Sequence, residues 1–369
     1  MVIKVSVYKH PDEFPDDVNQ LFEAGAQTNV ESSVAWYNNL VNAVYPGDVA
    51  ICIYVLRKNN IPLAALPMRV TRSAFGQQAG SLSNYYTALY APVTSSALTA
   101  SDMTELIRAI KSAHTPLAAM RFAPMAPESA DYGLLLQALR ACGFKAFTFF
   151  RFGNWYQPVI DDWQTYLKNR EGTVRSTIKR MGKKFANEGG SLELVQGGEN
   201  LERGLAAYQH VYALSWKQPE PYPEFVPGLI RTCAAHSWLR LGVAWLNGKP
   251  IAAQLWIVAN GKANIYKLAY DESFKAYAPG TLLTAMLMEH VIEQDKVREV
   301  DYLIGDDPYK KSWMSKRRER WGIIAYNPRS MAGLLGLMHE VLGRAAKHLK
   351  SKISKLSTVH ALPKEQDAI

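Results

Sequence analysis

The residues best suited to bind a charged ligand lie around Gly280, at the start of a predicted helix. Pro279, Gly280 and Thr281 follow the strand-like segment 263–270 and open a long apolar-periodic run. The first turn of a helix presents unpaired N–H groups and a positive dipole end, and glycine lets a pyrophosphate approach closely. The alternative is that Pro-Gly is an ordinary helix start. The chain has no P-loop, GxGxxG, GxSxG or HExxH motif, which removes the usual support for kinases, hydrolases and zinc proteases.

The elements that would position this turn occur twice in the chain. Residues 50–70 and 241–259 each read as two strands joined by a tight polar turn, Asn59-Asn60 in the first copy and Asn247-Gly248 in the second. A third strand is predicted after each hairpin, over 84–90 (NYYTALY) and 264–270 (NIYKLAY). The shared order of elements indicates an internal duplication. Only the second copy places glycine after its third strand.

Both copies continue with alternating helices and strands. In the second copy we expect a helix near the basic segment YKKSWMSKRRE and then a strand over WGIIAYN. This alternation predicts an α/β fold, and the leading hairpins predict a mixed sheet. We predict two similar domains, 1–152 and 158–330, followed by an amphipathic helix and tail over 331–369.

Charge and cysteine content narrow the functional classes. The chain has 369 residues and a net charge of +9. Acidic and basic residues balance over 1–150, so the excess lies in the second part, clustered at 166–185, at 309–320 and in the tail. Such clusters favour anion binding unless they are solvated helix faces. No stretch is long and apolar enough to span a membrane, and the three cysteines fit neither a disulfide framework nor a zinc site, so we expect a cytoplasmic protein without metal.

At these segments the chain resembles the GNAT acyltransferase superfamily. The resembling segments lie at 264–283, 300–313 and 173–185, with 84–93 in the first copy, and the branch includes CelD-type acetyltransferases and Fem-type aminoacyl transferases. The resemblance implies two tandem GNAT folds, of which the second binds acyl-CoA. Pantetheine would bond the edge of the fourth strand, and pyrophosphate would cap the next helix; the positions are Leu268, Ala269, Tyr270, Pro279, Gly280, Thr281 and Leu282. The glycine signature of the superfamily is reduced here to Gly280 alone.

The resemblance also implies direct transfer of an acyl group from a thioester to an amine. This reaction needs a neutral amine, a polarised carbonyl and protonation of the leaving thiolate. Asp301 could accept the amine proton or be an ion-paired rim acid, and Asp271 is a second candidate. Lys310 could bind an acceptor anion, stabilise the oxyanion or be an exposed lysine. Aromatic residues could wall the acceptor pocket or belong to the core: Tyr85, Tyr86, Trp216, Tyr266 and Tyr309.

We therefore expect an acyltransferase that uses acyl-CoA, most simply acetyl-CoA, and an amine on a sugar or related small metabolite, in polysaccharide or envelope synthesis. A Fem-type transferase that takes its acyl group from aminoacyl-tRNA is one alternative, and a non-catalytic GNAT pair is another. We expect no DNA partner. The helix from 331 carries an apolar stripe that includes Leu334, Met338 and Leu342, with Arg344 and Lys347 beside it. It would either dock on the second domain or contact an anionic membrane.

Overall fold

The computed structural model describes residues 2–73 and 76–359, and these form a mixed α/β fold. The main strands are β1 (Ile3–Tyr8), β2 (Ile51–Lys58), β3 (Ile61–Ser73), β4 (Gly76–Ser81), β5 (Val93–Thr94), β6 (Leu117–Met125), β7 (Lys145–Pro158), β8 (Gly190–Val195), β9 (Leu239–Leu246), β10 (Lys249–Ala259), β11 (Lys262–Tyr270), β12 (Glu299–Asp301) and β13 (Lys316–Tyr326). The α-helices are α1 (Asp16–Ala26), α2 (Val34–Val44), α3 (Ala100–Ala113), α4 (Ala130–Ala141), α5 (Trp163–Lys168), α6 (Gly172–Asn187), α7 (Leu201–Ala213), α8 (Phe225–Ala235), α9 (Pro279–Glu293), α10 (Pro308–Trp313) and α11 (Met331–Val359).

One continuous sheet runs through both halves of the chain. Its order is β1-β2-β3-β4-β6-β13-β7-β12-β11-β10-β9-β8, with β5 paired to β3. The order is nearly symmetric about its centre, as a duplicated fold requires. The two last strands are exchanged, because β13 pairs with β6 of the first half and β7 pairs with β12 of the second. The predicted domain boundary at 152–158 falls inside β7. The two predicted domains share one sheet, and the division between them stays a prediction.

Both predicted hairpins are present. β2 and β3 are joined through Asn59 and Asn60, whose φ values are 51° and 68°, and β9 and β10 are joined through Asn247 and Gly248, at 50° and 79°. Left-handed backbone at both turn positions matches the twist of a two-residue hairpin, and Asn and Gly adopt it most readily. The turn chemistry therefore sets the register of both hairpins.

The predicted strand over 84–90 is wrong, because the third strand of the first half is β4 and 84–90 is a loop. The Asn84 side chain accepts from Tyr86 N at 2.9 Å, and Thr87 N bonds Asn84 O at 3.2 Å, which closes a turn. The buried Glu31 carboxylate accepts from the backbone N–H groups of Ala88 and Leu89. These side chains satisfy amides that a strand would have paired in the sheet.

The element boundaries after β12 also differ from the prediction. The helix ends at Trp313, and the basic residues from Lys316 onward belong to β13. On β13 these side chains reach carboxylates, as in the Arg318–Glu299 pair at 2.7 Å. Helical periodicity in a short basic run is weak evidence, and the pairing of β13 with two neighbouring strands overrides it.

Helices cover both faces of the sheet. One face carries a core shared by the two halves, in which α1 and α2 pack beside α7 and α8. The other face carries a core under α3 and α4 in the first half and another under α9 in the second. Shared packing on one face holds the halves together, so a site between them has fixed walls.

The C-terminal helix α11 lies against β6 and β13 and leaves apolar side chains exposed on its outer side. Leu335, Met338 and Leu342 are each more than half exposed. The predicted membrane contact of this helix stays a prediction, and residues 360–369 of the predicted tail lie outside the described residues. In the described part of the chain, no helix is both long and apolar enough to cross a membrane.

Candidate functional site

The candidate site lies where β11 and β12 separate. The two strands pair in parallel over only three residues each, Lys262–Asn264 with Glu299–Asp301. Beyond Asp301 the chain turns toward β7, and Tyr302 N donates to Trp155 O at 2.9 Å. In the described residues, the edge of β11 from Ile265 onward therefore has no strand partner on this side. A cavity of about 380 Å³ opens there.

A bulge in β11 distributes its side chains to both faces of the sheet at this point. Lys267 is opposite Leu255 and Ile265 is opposite Trp256, so Tyr266 has no partner on β10. Ile265 and Leu268 pack with the core under α9, whereas Tyr266 packs with the core under α7 and α8. The cavity thus reaches both faces of the sheet.

The cavity combines residues of both halves, and it includes several predicted site residues. Tyr85, Tyr86, Tyr266, Leu268, Tyr309 and Lys310 all line it. The first half contributes the 84–88 loop, with Arg151 and Phe152 from β7. The second half contributes β11, the segment after β12, α10 and Lys217. Asp271, Trp216, Asp301 and the α9 positions are not among the lining residues.

Lys310 is buried in the cavity wall rather than exposed on a helix face. Only 4% of its surface is exposed, and its Nζ donates to the carbonyl oxygens of Ile304 and Gly305. Asp307 lies 3.4 Å from the ammonium. Burial lowers the pKa of Lys310, and Asp307 partly opposes this shift. The ammonium fixes the segment that follows β12 and faces the cavity.

The aromatic residues that were predicted to line the acceptor pocket differ in how much of each ring is exposed. Tyr86 is buried and stacks on Phe225, with ring centroids 4.0 Å apart, so it is part of the core. The Tyr266 hydroxyl donates to Tyr86 O at 2.8 Å, which fixes the loop to β11. Tyr85 is 62% exposed and lies under the Lys267 ammonium, 4.7 Å from its ring centroid. Tyr85 is therefore free to contact a ligand.

Asp301 is held in an ion-pair network beneath the cavity. Its carboxylate is 2.9 Å from Lys262 Nζ, contacts Arg318 and accepts from Asn154 Nδ2 at 2.5 Å. Burial alone would raise the pKa of Asp301, but Lys262 and Arg318 lower it below its usual range. A carboxylate stabilised in this way is a weak proton acceptor. Its geometry suits anchoring β12 to β7 and β13 better than catalysis.

Asp271 and Trp216 lie at the far end of β11. Asp271 caps the turn after β11, where its Oδ1 accepts from Ser273 N at 3.0 Å, and Lys249 lies 3.5 Å away. Burial would raise the Asp271 pKa, but these bonds and Lys249 lower it. Trp216 packs on Tyr270, with centroids 4.8 Å apart. Neither residue faces the cavity.

The first turn of α9 has no side-chain cap. Its N-cap residue is Ala278, in left-handed conformation with φ 52°, and Pro279 supplies no N–H. A β-carbon at Gly280 would meet the Tyr270 ring at 3.7 Å, an ordinary contact, so this side of the turn has room. Thr281 is half-buried, and Leu282 and Ala269 are core residues. Of the predicted donor residues at this helix start, Gly280 is thus placed to offer its backbone N–H to a ligand, whereas Thr281 N already donates to Ala278 O at 3.0 Å.

The sequence interpretation missed two lysines of the site. Lys267 interrupts an otherwise apolar stretch of β11, a signal that was available in the sequence. Lys217 lies in the link between α7 and α8, and only the fold brings it to β11. In the described part of the chain, no group of three or more His, Cys, Asp or Glu side chains could hold a metal ion.

Comparison with known proteins places this site in a family. The family model for the acetyltransferase (GNAT) domain matches residues 172–311. The matched residues include the whole β11–α9–β12 unit, so the chain carries a GNAT-type acyltransferase domain over this part of its length. The resemblance noted in the sequence is confirmed. No curated protein sequence matches the chain.

Solved structures share the fold at low sequence identity. FemX is 11% identical with a TM-score of 0.59, covering 84% of this chain and 96% of that one. A conserved protein of unknown function from Bacteroides thetaiotaomicron VPI-5482 is 11% identical with a TM-score of 0.56, over 88% and 100%. The C-terminal domain of an Agrobacterium fabrum protein described as a lysylphosphatidylglycerol synthetase is 14% identical with a TM-score of 0.53, over 89% and 96%. At these identities the likeness shows the fold alone.

Proposed function

We propose that this protein transfers an acyl group, most simply acetyl, from acyl-CoA to an amine bound between its two halves. The observation that carries the proposal is the cavity at the β11–β12 separation, which is lined by residues that pack on both faces of the sheet. Direct transfer needs donor and acceptor to meet at one point. An opening through a sheet lets them approach from opposite faces.

The donor would bind along the free edge of β11 and at the start of α9. Backbone groups of Leu268 and Tyr270 lie on an edge that has no strand partner in the described residues, so pantetheine amides can bond there. The pyrophosphate would bind the first turn of α9, which has no side-chain cap and where Gly280 presents its backbone N–H beside Thr281. Ala269 and Leu282 would support this site from the core.

The acceptor would bind on the opposite face, against the first half of the chain. Tyr85, Tyr266 and Lys267 line the cavity there and combine apolar surface with polar groups. Such a lining suits a hydroxylated amine such as an amino sugar. This assignment agrees with the role predicted for the 84–90 segment, although the segment is a loop rather than a strand.

In the reaction, the neutral amine attacks the thioester carbon, the carbon–sulfur bond breaks, and the proton that the nitrogen loses balances the proton that the thiolate takes up. Lys310 lies in the cavity wall, where its ammonium can stabilise the developing oxyanion. Tyr309 also lines the cavity, where its protonated hydroxyl can donate a hydrogen bond to the leaving sulfur; burial raises its pKa, which keeps the hydroxyl protonated but makes it a weaker acid. Asp301 would position β12 rather than take the amine proton.

Calorimetry of the full-length protein with acetyl-CoA, CoA and bulk tRNA tests the proposal. We expect binding of both CoA species with dissociation constants on the order of micromolar and no salt-sensitive tRNA binding. The matching activity assay measures acetyl transfer to a panel of amino sugars through the free thiol of CoA that the reaction releases. Failure of the protein to bind either CoA species would contradict the proposal.

A Fem-type reaction with aminoacyl-tRNA is the second candidate, and a basic helix beside the donor site favours it. α6 packs against α9 and exposes Lys179, Arg180 and Lys183. These side chains could bind either the phosphates of CoA or a tRNA backbone. The tRNA titration separates the two, since tRNA binding without CoA binding would favour this alternative.

A further inference from the structure

The cavity at the β11–β12 separation has more cationic than anionic lining residues. Its cationic lining residues are Arg151, Lys217, Lys267 and Lys310. Asp307 is the one carboxylate among the described lining residues. A neutral ligand would leave this excess uncompensated, and the cost is greatest for the cations that are partly buried.

Within the described residues, the cations differ in whether the protein supplies a counter-ion. Lys310 has Asp307 at 3.4 Å, and Lys267 has Glu220 at 2.8 Å. Lys217 has no carboxylate within 4.0 Å in this part of the chain; its ammonium lies 5.9 Å from the ring centroids of Tyr212 and Trp216. Burial, and then the neighbouring Lys267 and Lys310, lower the pKa of Lys217 to about 8, while Glu220 and Asp307 partly oppose the shift. It remains mostly charged at neutral pH without a partner of its own.

The position of Lys217 assigns its ligand to the acceptor rather than the donor. Lys217 follows α7, and this helix covers the face to which Tyr266 points. The α9 core lies on the other face, with Leu268 packed against it. A phosphate of CoA at the start of α9 would bind the backbone of that helix. Lys217, on the other face, would then bind a group of the other substrate.

We propose that the acceptor amine also carries an anionic group, a phosphate or a carboxylate, and that Lys217 binds this group. The inference rests on the proposed acyltransferase function and specifies its substrate class. Lys217 would be a specificity-determining residue, because it touches the acceptor at a distance from the reacting nitrogen. A charge-assisted bond of this kind changes affinity by about 10- to 100-fold.

The test compares glucosamine with glucosamine 6-phosphate as acetyl acceptors at saturating acetyl-CoA. The parent protein should show a KM about 10-fold or more lower for the phosphorylated amine. Lys217→Gln should remove this preference and leave CoA affinity unchanged, and Lys217→Arg should retain it. Lys311→Gln, an exposed change on the neighbouring α10, is the matched control and should behave like the parent.

A titration of inorganic phosphate and acetate into the CoA-saturated protein gives a second readout that does not depend on turnover. Either anion should bind the parent about 10-fold more tightly than Lys217→Gln. Equal binding by the two proteins, or equal KM values for the two amines, would overturn the inference while CoA binding kept the proposed function intact. A loss of CoA affinity in Lys217→Gln would overturn it by assigning the lysine to the donor. Absence of CoA binding by the parent would overturn both.

Discussion

The two halves build the same junction of strands and finish it differently. In the first half, β4 and β6 pair from Gln77 to Gly80, and the Ser81 hydroxyl then continues the contact, accepting from Ala123 N at 3.2 Å. In the second half, β11 and β12 part after three pairs and a cavity opens. The duplicated fold therefore supplies the same strand junction twice, and side-chain bonds close one copy.

The helices that follow β4 and β11 also differ, because side chains cap the start of α3 and none caps the start of α9. α3 begins with a capping box, in which Asp102 N bonds Thr99 Oγ1 at 3.2 Å and Asp102 accepts from Thr99 N at 3.1 Å. The Asp102 carboxylate already lies at the positive end of this helix and pairs with Lys58 at 3.0 Å. α9 has no side-chain cap. The proposed pyrophosphate would therefore meet a carboxylate at the first helix start and no side-chain cap at the second.

The largest effect is expected from blocking the start of α9. Gly280→Val should weaken CoA binding by on the order of 100-fold or more, because a branched side chain would occupy the space where the pyrophosphate approaches the backbone N–H groups. The variant should fold, since Gly280 has ordinary backbone angles and room for a β-carbon. Calorimetry with CoA measures the affinity.

The matched change in the first half is Thr99→Ala. It removes the cap of α3 and should cost about 1 kcal/mol of unfolding free energy without changing CoA affinity. If Thr99→Ala weakened CoA binding, or Gly280→Val bound CoA like the parent, the contrast between the two helix starts would not explain the site.

Lys310→Ala should lower turnover by roughly 100-fold, because it removes the ammonium from the cavity wall and releases the carbonyls of Ile304 and Gly305. Lys311→Ala should have almost no effect, since that side chain is exposed. Steady-state kinetics of both variants measures the difference. Lys310→Met keeps the apolar stem, so equal activity of Lys310→Met and the parent would show that the charge is dispensable.

The exposed part of the 84–90 loop should affect acceptor binding alone, and its buried part should affect stability. Tyr85→Ala should raise the acceptor KM about 10-fold without changing CoA affinity or stability, because the ring is exposed in the cavity. Tyr86→Ala should instead destabilise the protein by about 3–5 kcal/mol, since its ring stacks in the core. Thermal unfolding and acceptor kinetics distinguish the two; a rise in the Kd for CoA with Tyr85→Ala would move the loop to the donor side.

A smaller effect is expected from pH. The pKa of Lys217 is lowered to about 8, so its ammonium is present below that pH and lost above it. The preference for glucosamine 6-phosphate over glucosamine should therefore fall severalfold between pH 7 and 9. The charged groups facing Lys217 are Lys267, Lys310, Glu220 and Asp307. The ratio should not change with pH in Lys217→Gln, and a parallel decline there would assign the titration to another group.

The sequence predicted the elements whose signals are local. Hairpin turns, the helix start at Gly280 and the strand 264–270 can be identified because turn chemistry and periodicity lie within a few residues. The 84–90 loop depends on Glu31, which is 57 residues from Ala88 in the chain, and on pairing that leaves β4 as the third strand. The exchange of β7 and β13 likewise arises from contacts between distant strands, which no local pattern specifies.

The site residues, like the elements of the fold, could be predicted from the sequence where the signal is local. Leu268, Tyr266 and Lys310 follow from the strand and the segment after it, and the structure brings them together. The alternatives for Asp301 could be weighed only when its partners Lys262 and Arg318 were located. Lys217 offered no local signal because its importance comes from the charges around it in three dimensions.

Amide hydrogen exchange with and without CoA shows whether the second half alone holds the donor site. CoA should slow exchange in the first turn of α9, at Gly280–Leu282, and along Ile265–Tyr270 of β11, with no change at the start of α3 or along β4. Protection at Ala100–Asp102 or over Gly76–Ser81, or its absence from both halves at saturating CoA, would contradict the account.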